Sequence, residues 1–143
     1  MQGFLTEQAS LFADLSLVSI WILGLAAALG GIQARRRKFS VHCPIMAAAG
    51  LLNWIPMLLF MLPRWLDVVQ GQDSITGSLA DTGPLIHGII GGVIQLLITY
   101  TIIRMYWIKE LPPRQPVWLM RSTLTLWALS VLSGSIIYGI RYL

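Results

Sequence analysis

Four apolar stretches, each close to twenty residues long and almost free of internal charge, decide what this chain can fold into. About 20 helical residues cross the hydrocarbon layer of a bilayer. Lipid offers no partner to a backbone amide, so each crossing segment must bond within itself, as a helix does. The stretches run approximately over residues 15–34, 44–62, 84–108 and 117–140, with a polar loop over 63–83. Of the 143 residues, 56% are hydrophobic and only 11% charged. Soluble domains carry about 25% charge, and disordered chains lack such apolar content. Both classes are excluded, and the spans leave no room for a soluble catalytic domain. The expected fold is all-α, an integral membrane four-helix bundle forming one transmembrane domain over 1–143. A single cysteine, Cys43, excludes an intramolecular disulfide and a multi-cysteine metal site.

Local signals set the span ends. Arg35, Arg36, Arg37 and Lys38 stop the first span, and Pro63 follows the second. Pro44 and Pro84 suit first helical turns, with Asp81 or Thr82 as a cap before the third span. Residues 1–14 lack the positive region of a signal peptide and read as an outer-surface segment, with Leu5, Leu11 and Phe12 in the interface.

Charge orients the bundle. Of the ten Lys and Arg residues, only Arg64 and Arg141 fall on the side of the 63–83 loop. The other side holds Arg35, Arg36, Arg37, Lys38, Arg104, Lys109, Arg114 and Arg121. The positive-inside rule makes that side cytoplasmic and places both termini outside. The acids Glu7, Asp14, Asp67, Asp73 and Asp81 all fall on the outer side.

Helices in lipid associate through small residues and polar contacts. Gly24 with Ala28, Ala27 with Gly31, Gly88 with Gly92, and Ser130 with Gly134 repeat at a spacing of four, which predicts tight packing. Asn53 and Gln95 lie near mid-span, where an unpaired amide is costly, and a hydrogen bond between them is expected. Pro56 frees the carbonyl of Leu52 and predicts a kink. Neither acid nor histidine lies at that depth, which disfavours proton or ion transport. Trp54, Trp65, Trp107, Trp118, Tyr106, Tyr138 and Tyr142 read as an aromatic belt at the span ends.

The histidines carry what chemistry there is. His42 starts the second span and His87 the third, on opposite sides, about 25–30 Å apart. That separation excludes a haem held by both. A single-histidine or His/Met haem remains, as does a copper site built from His87, Met57 and Met61. Against these stand ordinary roles: packing for the methionines, and for His87 a hydrogen bond to a helix end, a lipid headgroup or a neighbouring subunit. With Arg35–Lys38 and Arg114, His42 forms a basic collar for anionic phospholipids or for an acidic partner face. No phosphate loop, triad or nucleic-acid motif is present.

Three segments carry a resemblance. They are RRRKFSVHCPIM (35–46), PLIHGIIG (84–91), and RSTLTLW (121–127) followed by SGSIIY (133–138). Their order and spacing, from about Leu15 to Leu143, resemble a bacterial four-helix membrane family, the "domain of unknown function four-twenty" group that includes CtaM and YozB. The resemblance implies a role around haem-copper terminal oxidases, in whose maturation CtaM acts, and no enzymatic activity. It places His42 and His87 at two family histidines. A third family histidine, before the last span, is Pro116 here. The expectation is therefore a non-catalytic subunit or assembly factor of a respiratory or photosynthetic electron-transfer complex in the bacterial inner membrane. Its expected partners are larger membrane-protein subunits and anionic phospholipids, not nucleic acid. The alternative is a haem b- or copper-binding carrier using His87. Lipid, quinone or pigment bound between helices also suits the aromatic-rich span ends.

Overall fold

The computed structural model describes residues 3–70, 78–108 and 115–143. In chain order the elements are α1 (Leu11–Arg35), α2 (Phe39–Leu52), α3 (Trp54–Pro56), a π-helical turn (Met57–Met61), α4 (Leu62–Val69), α5 (Ser78–Ile103), a second π-helical turn (Arg104–Ile108) and α6 (Gln115–Tyr142). Among the described residues there is no strand. Four rods are long and apolar enough to cross a membrane: Leu11–Arg35, Phe39–Val69, Thr82–Tyr106 and Val117–Tyr142. Ile22, Leu59, Leu96 and Ile136, one from each rod, are 61–63% exposed. Apolar side chains thus face outward as well as inward, the pattern of a multi-pass membrane bundle rather than of a water-soluble one.

The rods close a ring, since α1 packs on α2 and α6, and α5 packs on α6 and α2. At their common centre lie Ile20, Ala27, Ala49, Ile94, Ile98, Trp127 and Val131. One end of the bundle carries Arg35–Lys38 and is called the basic end. The other carries residues 3–10, a strap across the ends of α1 and α6, and is called the strap end.

The rods are longer than the apolar stretches. The second continues past Pro63 to Val69 because Pro63 falls in the first turn of α4, where its missing N–H is not needed. Residues 63–69 and 78–83 are therefore helix rather than loop. Pro44 and Pro84, expected in first turns, lie inside α2 and α5, because the polar residues before them are already helical. For the same reason Thr82 lies within α5 rather than before it, while Asp73, Lys109–Arg114 and the side chains of Asp81, Trp107 and Pro116 lie outside the described residues. The second rod is interrupted where Pro56 withholds an amide from Leu52: the helix breaks at Asn53 and resumes through the Met57–Met61 π-turn.

Between α1 and α2 the chain reverses in three residues. Lys38 N–H donates to the Gln33 carbonyl and Arg37 N–H to that of Ala34, both over 3.0 Å. This is the paired bonding of a Schellman turn, whose left-handed position is filled by Arg37 at φ 57° instead of by glycine.

Candidate functional site

From the basic end to the bundle centre, the helices interlock without space. A Cβ at Gly30 would come within 2.8 Å of Met46 Sδ, and one at Gly50 within 2.5 Å of Ile98 Cγ2. His42 ties the α1–α2 hairpin across this contact, its Nδ1 2.8 Å from the Gly30 carbonyl oxygen. A carbonyl only accepts, so Nδ1 carries the proton. At mid-bundle, Gln95 Nε2 donates to the Gly50 carbonyl over 2.9 Å. That leaves Gln95 Oε1 to accept from Asn53 Nδ2 over 2.8 Å. Asn53 Oδ1 is then buried without a donor. Trp54, read as part of an aromatic belt, instead donates to Thr99 Oγ1 over 3.0 Å, because it follows Asn53 at the middle of the rod.

Beyond the amide pair, toward the strap end, the rods part around a cavity of about 530 Å³. This lies within the range of small-molecule and cofactor sites. Its lining is apolar apart from Asn53, Gln95, His87, a few hydroxyls and two cations, Arg64 and Arg141. Among the described residues, no carboxylate lines it. Gly91 and Gly92 form part of the wall. A Cβ at Gly92 would meet nothing within 4 Å, and one at Gly91 only Ser130 Oγ at 3.9 Å. The expectation of tight packing for Gly92 is corrected: no side chain meets it, while Gly91 sits in ordinary contact distance of Ser130, and Met57 and Met61 of the π-turn line the same cavity. Gly88 does pack closely, under the Trp65 indole, and Gly24 packs on Val131. Ala28, expected to pair with Gly24, is exposed.

His87 projects from α5 onto α6, with Nδ1 3.0 Å from Ser133 Oγ. The Ser133 hydroxyl proton is spent on the Ser130 carbonyl, 3.0 Å away. Nδ1 therefore donates to Ser133, and the neutral ring keeps its lone pair on Nε2. No described group bonds to Nε2. The Cε1–Nε2 edge lies over Gly134, where a Cβ would sit 3.2 Å from Cε1 and 3.3 Å from Nε2. A histidine whose second nitrogen is held by a protein acceptor has the arrangement that presents a ligating nitrogen.

The strap closes this end. Asp14, which the sequence placed in an outer-surface segment, is buried. Its Oδ2 accepts from the amides of Phe4, at 2.6 Å, and Leu5, at 2.7 Å. Its Oδ1 accepts from the Tyr138 hydroxyl. These donors arise from the chain folding back over the N-terminus of α1, a long-range event with no local sequence signal. Phe12 and Phe60, both lining the cavity, stack at 5.9 Å.

The structure brings His87, Met57, Met61, Asn53 and Gln95 to one cavity and leaves His42 out of it. Arg35, Arg36, Arg37 and Lys38 are exposed at the turn, and Arg114 lies outside the described residues. Among the described residues, no three His, Cys, Asp or Glu side chains gather to hold a metal ion. Arg64 and Arg141 are cavity residues that sequence reasoning used only for counting charge. Their signal was available: they are the only two cations on the side where His87 lies. No family model, no curated protein and no solved structure matches this chain.

Proposed function

We propose that the chain is a non-catalytic membrane subunit or assembly factor of an electron-transfer complex in a bacterial inner membrane. The observation that carries this reading is the division of the bundle into an interlocked half and a half that opens around one imidazole. The first suits a scaffold that docks on larger subunits through its exposed apolar faces. The second suits holding a molecule rather than converting it, since among the described residues the cavity lining offers neither a carboxylate nor a thiol to work with His87. The excess of Lys and Arg at the basic end orients that end to the cytoplasm and opens the cavity half toward the outer leaflet. At the cytoplasmic face Arg35–Lys38 meet anionic headgroups. Resemblance to the four-twenty family supplies the complex, a haem-copper terminal oxidase.

The test is a native gel of mildly solubilised membranes, with mass spectrometry of the band containing the chain. Co-migration with oxidase or other electron-transfer subunits at fixed stoichiometry supports a subunit. Co-migration with immature complexes alone supports an assembly factor. Migration alone under all growth conditions overturns both.

A second reading is favoured by one cavity's being lined by His87, whose Nε2 no described group bonds, and by the thioether residues Met57 and Met61: a His87-centred carrier of haem or copper.

A further inference from the structure

We propose that the cavity is the acyl-chain site of one outer-leaflet phospholipid with a primary-amine headgroup. Its phosphate lies on Arg64, its ammonium on Asp67, and one chain runs past Gly92 down to the Asn53–Gln95 pair. The inference goes beyond the subunit reading and competes with the His87-centred carrier for the same space.

Four observations carry it. The first is depth. The α5 wall of the cavity runs from Pro84 to Leu96, twelve residues or about 18 Å along a helix. On the second rod, Asn53 and Arg64 both line it and are eleven residues apart, about 16 Å. Both lengths match one leaflet of a hydrocarbon core about 30 Å thick. The second is the opening. Ile89, Val93 and Leu96 line the cavity and are each more than half exposed. The cavity therefore opens sideways past α5, and what stands at that opening in a bilayer is the hydrocarbon of the same leaflet. The third is the fit. A Cβ at Gly92 meets nothing, and Met57 and Met61 of the π-turn line the same cavity. A flexible chain fills so uneven a space, and thioethers adapt to it. At the floor Gln95 spends both polar atoms on Asn53 and Gly50, and Asn53 Oδ1 is buried, so no polar head is called for at that depth. The fourth is the mouth. Arg64 has an ion pair with Asp67 at 3.9 Å, too long for a hydrogen bond, and the two side chains are 45% and 43% exposed. A cation and an anion one helical turn apart complement a phosphate joined to an ammonium. Exchanging so loose a pair for two headgroup contacts costs little, and arginine binds phosphate through paired hydrogen bonds. A headgroup without a donor amine leaves Asp67 beside the phosphate. Arg141, the other lining cation, has its own partner and takes no part.

The experiment releases the full chain from nanodiscs of equal phosphatidylethanolamine, phosphatidylcholine and phosphatidylglycerol into a native mass spectrometer and identifies what it retains. The expected result is one phosphatidylethanolamine per chain. Gly92→Leu, which fills the cavity, loses it. Val93→Trp, placed at the exposed lip where no buried contact is broken, loses it too and decides the matter if the leucine variant does not fold. Ala48→Leu, at an exposed position of α2 away from the cavity, keeps it. Arg64→Gln lowers retention about tenfold, the worth of one charge-assisted hydrogen bond. Asp67→Asn still retains a lipid but no longer prefers the amine headgroup, and His87→Ala retains as the parent does. A parent that retains no lipid overturns the proposal, as does retention that survives both Gly92→Leu and Val93→Trp. A preference for phosphatidylglycerol overturns it as well, because the Arg64–Asp67 pair then does not read a zwitterion. If the retained mass is haem or copper and disappears in His87→Ala, the proposal falls and the carrier reading stands. None of these outcomes touches the native gel by which the subunit reading is tested.

Discussion

A methyl group added at Gly30 would press within 2.8 Å of a methionine sulfur, and one added at Gly50 within 2.5 Å of an isoleucine methyl. The same group added at Gly92 would meet nothing within 4 Å. All three glycines sit inside membrane rods and look alike in sequence. At Gly30 and Gly50 the absent side chain lets two helices touch, the usual means of association in lipid. At Gly92 the absent side chain leaves room that no helix fills. The Asn53–Gln95 bond marks the boundary, and the break in the second rod beside it explains the difference. Up to Asn53, α2 runs against α1 and α5; beyond it, the π-turn packs on α1 and lines the cavity, and α4 meets α5 again.

The largest effect expected from this contrast comes from filling both kinds of position with the same side chain. Gly50→Leu forces apart α2 and α5 and destabilises the bundle by about 3 kcal/mol or more. Gly92→Leu changes stability by less than about 0.5 kcal/mol, because overpacking arises only where a neighbour must move. Unfolding of the two variants in mixed micelles titrated with SDS measures both. Equal losses would show that the two halves are packed alike and that the cavity has no independent existence.

The strap end is next. Asp14→Ala removes the acceptor of two strap amides and of the Tyr138 hydroxyl together. Residues 3–9 then lift from the bundle, and limited proteolysis cleaves them several-fold faster, while the packed half keeps its stability. Unchanged cleavage would show that the strap is held by Ala9 and the turn around it rather than by the carboxylate. The Asn53–Gln95 boundary gives a smaller effect. A double-mutant cycle over Asn53→Ala and Gln95→Ala should return a coupling of about 0.6–1.7 kcal/mol, the range of interhelical hydrogen bonds in membranes. A coupling near zero would mean that the boundary is set by backbone geometry alone.

Much of the scaffold was legible because lipid imposes simple rules. Long uncharged stretches become helices, and two amides at one depth find each other, as Asn53 and Gln95 do. The interruption near Pro56 follows from one missing amide. The cavity was not legible, because spacing reveals that residues are small but not whether the space they leave is filled. Gly88 and Gly92 form one four-residue pair, yet Trp65 covers the first and nothing covers the second. Asp14 was misread for a related reason. Charge statistics treat an acid near a span end as solvated, and only the folded strap shows that backbone amides replace the water. His87 stood out in the sequence as a residue type. What gives it a direction is Ser133, forty-six residues away, fixing one ring nitrogen and turning the other edge of the ring over Gly134.

The smallest effect concerns the basic end, where the tight half is closed by an arginine in a position made for glycine. Arg37 holds φ at 57°, a region that disfavours an L-residue by about 1–2 kcal/mol. Part of that is recovered because glycine gains more freedom in the unfolded chain, so Arg37→Gly should stabilise the bundle by only about 0.5 kcal/mol. The same change removes one of four adjacent cations, each worth about 1 kcal/mol at an anionic surface. The two consequences separate in one comparison. In neutral detergent Arg37→Gly should resist SDS slightly better than the parent. In bilayers rich in anionic lipid the advantage should vanish or reverse. Arg37→Lys keeps the charge and the backbone strain, and should match the parent in both settings. If the glycine variant is better in both, the arginine does nothing at the membrane surface, and the basic end is only a tight turn. If the advantage reverses, a strained backbone is retained there for its charge, much as open space is retained at the other end beside His87.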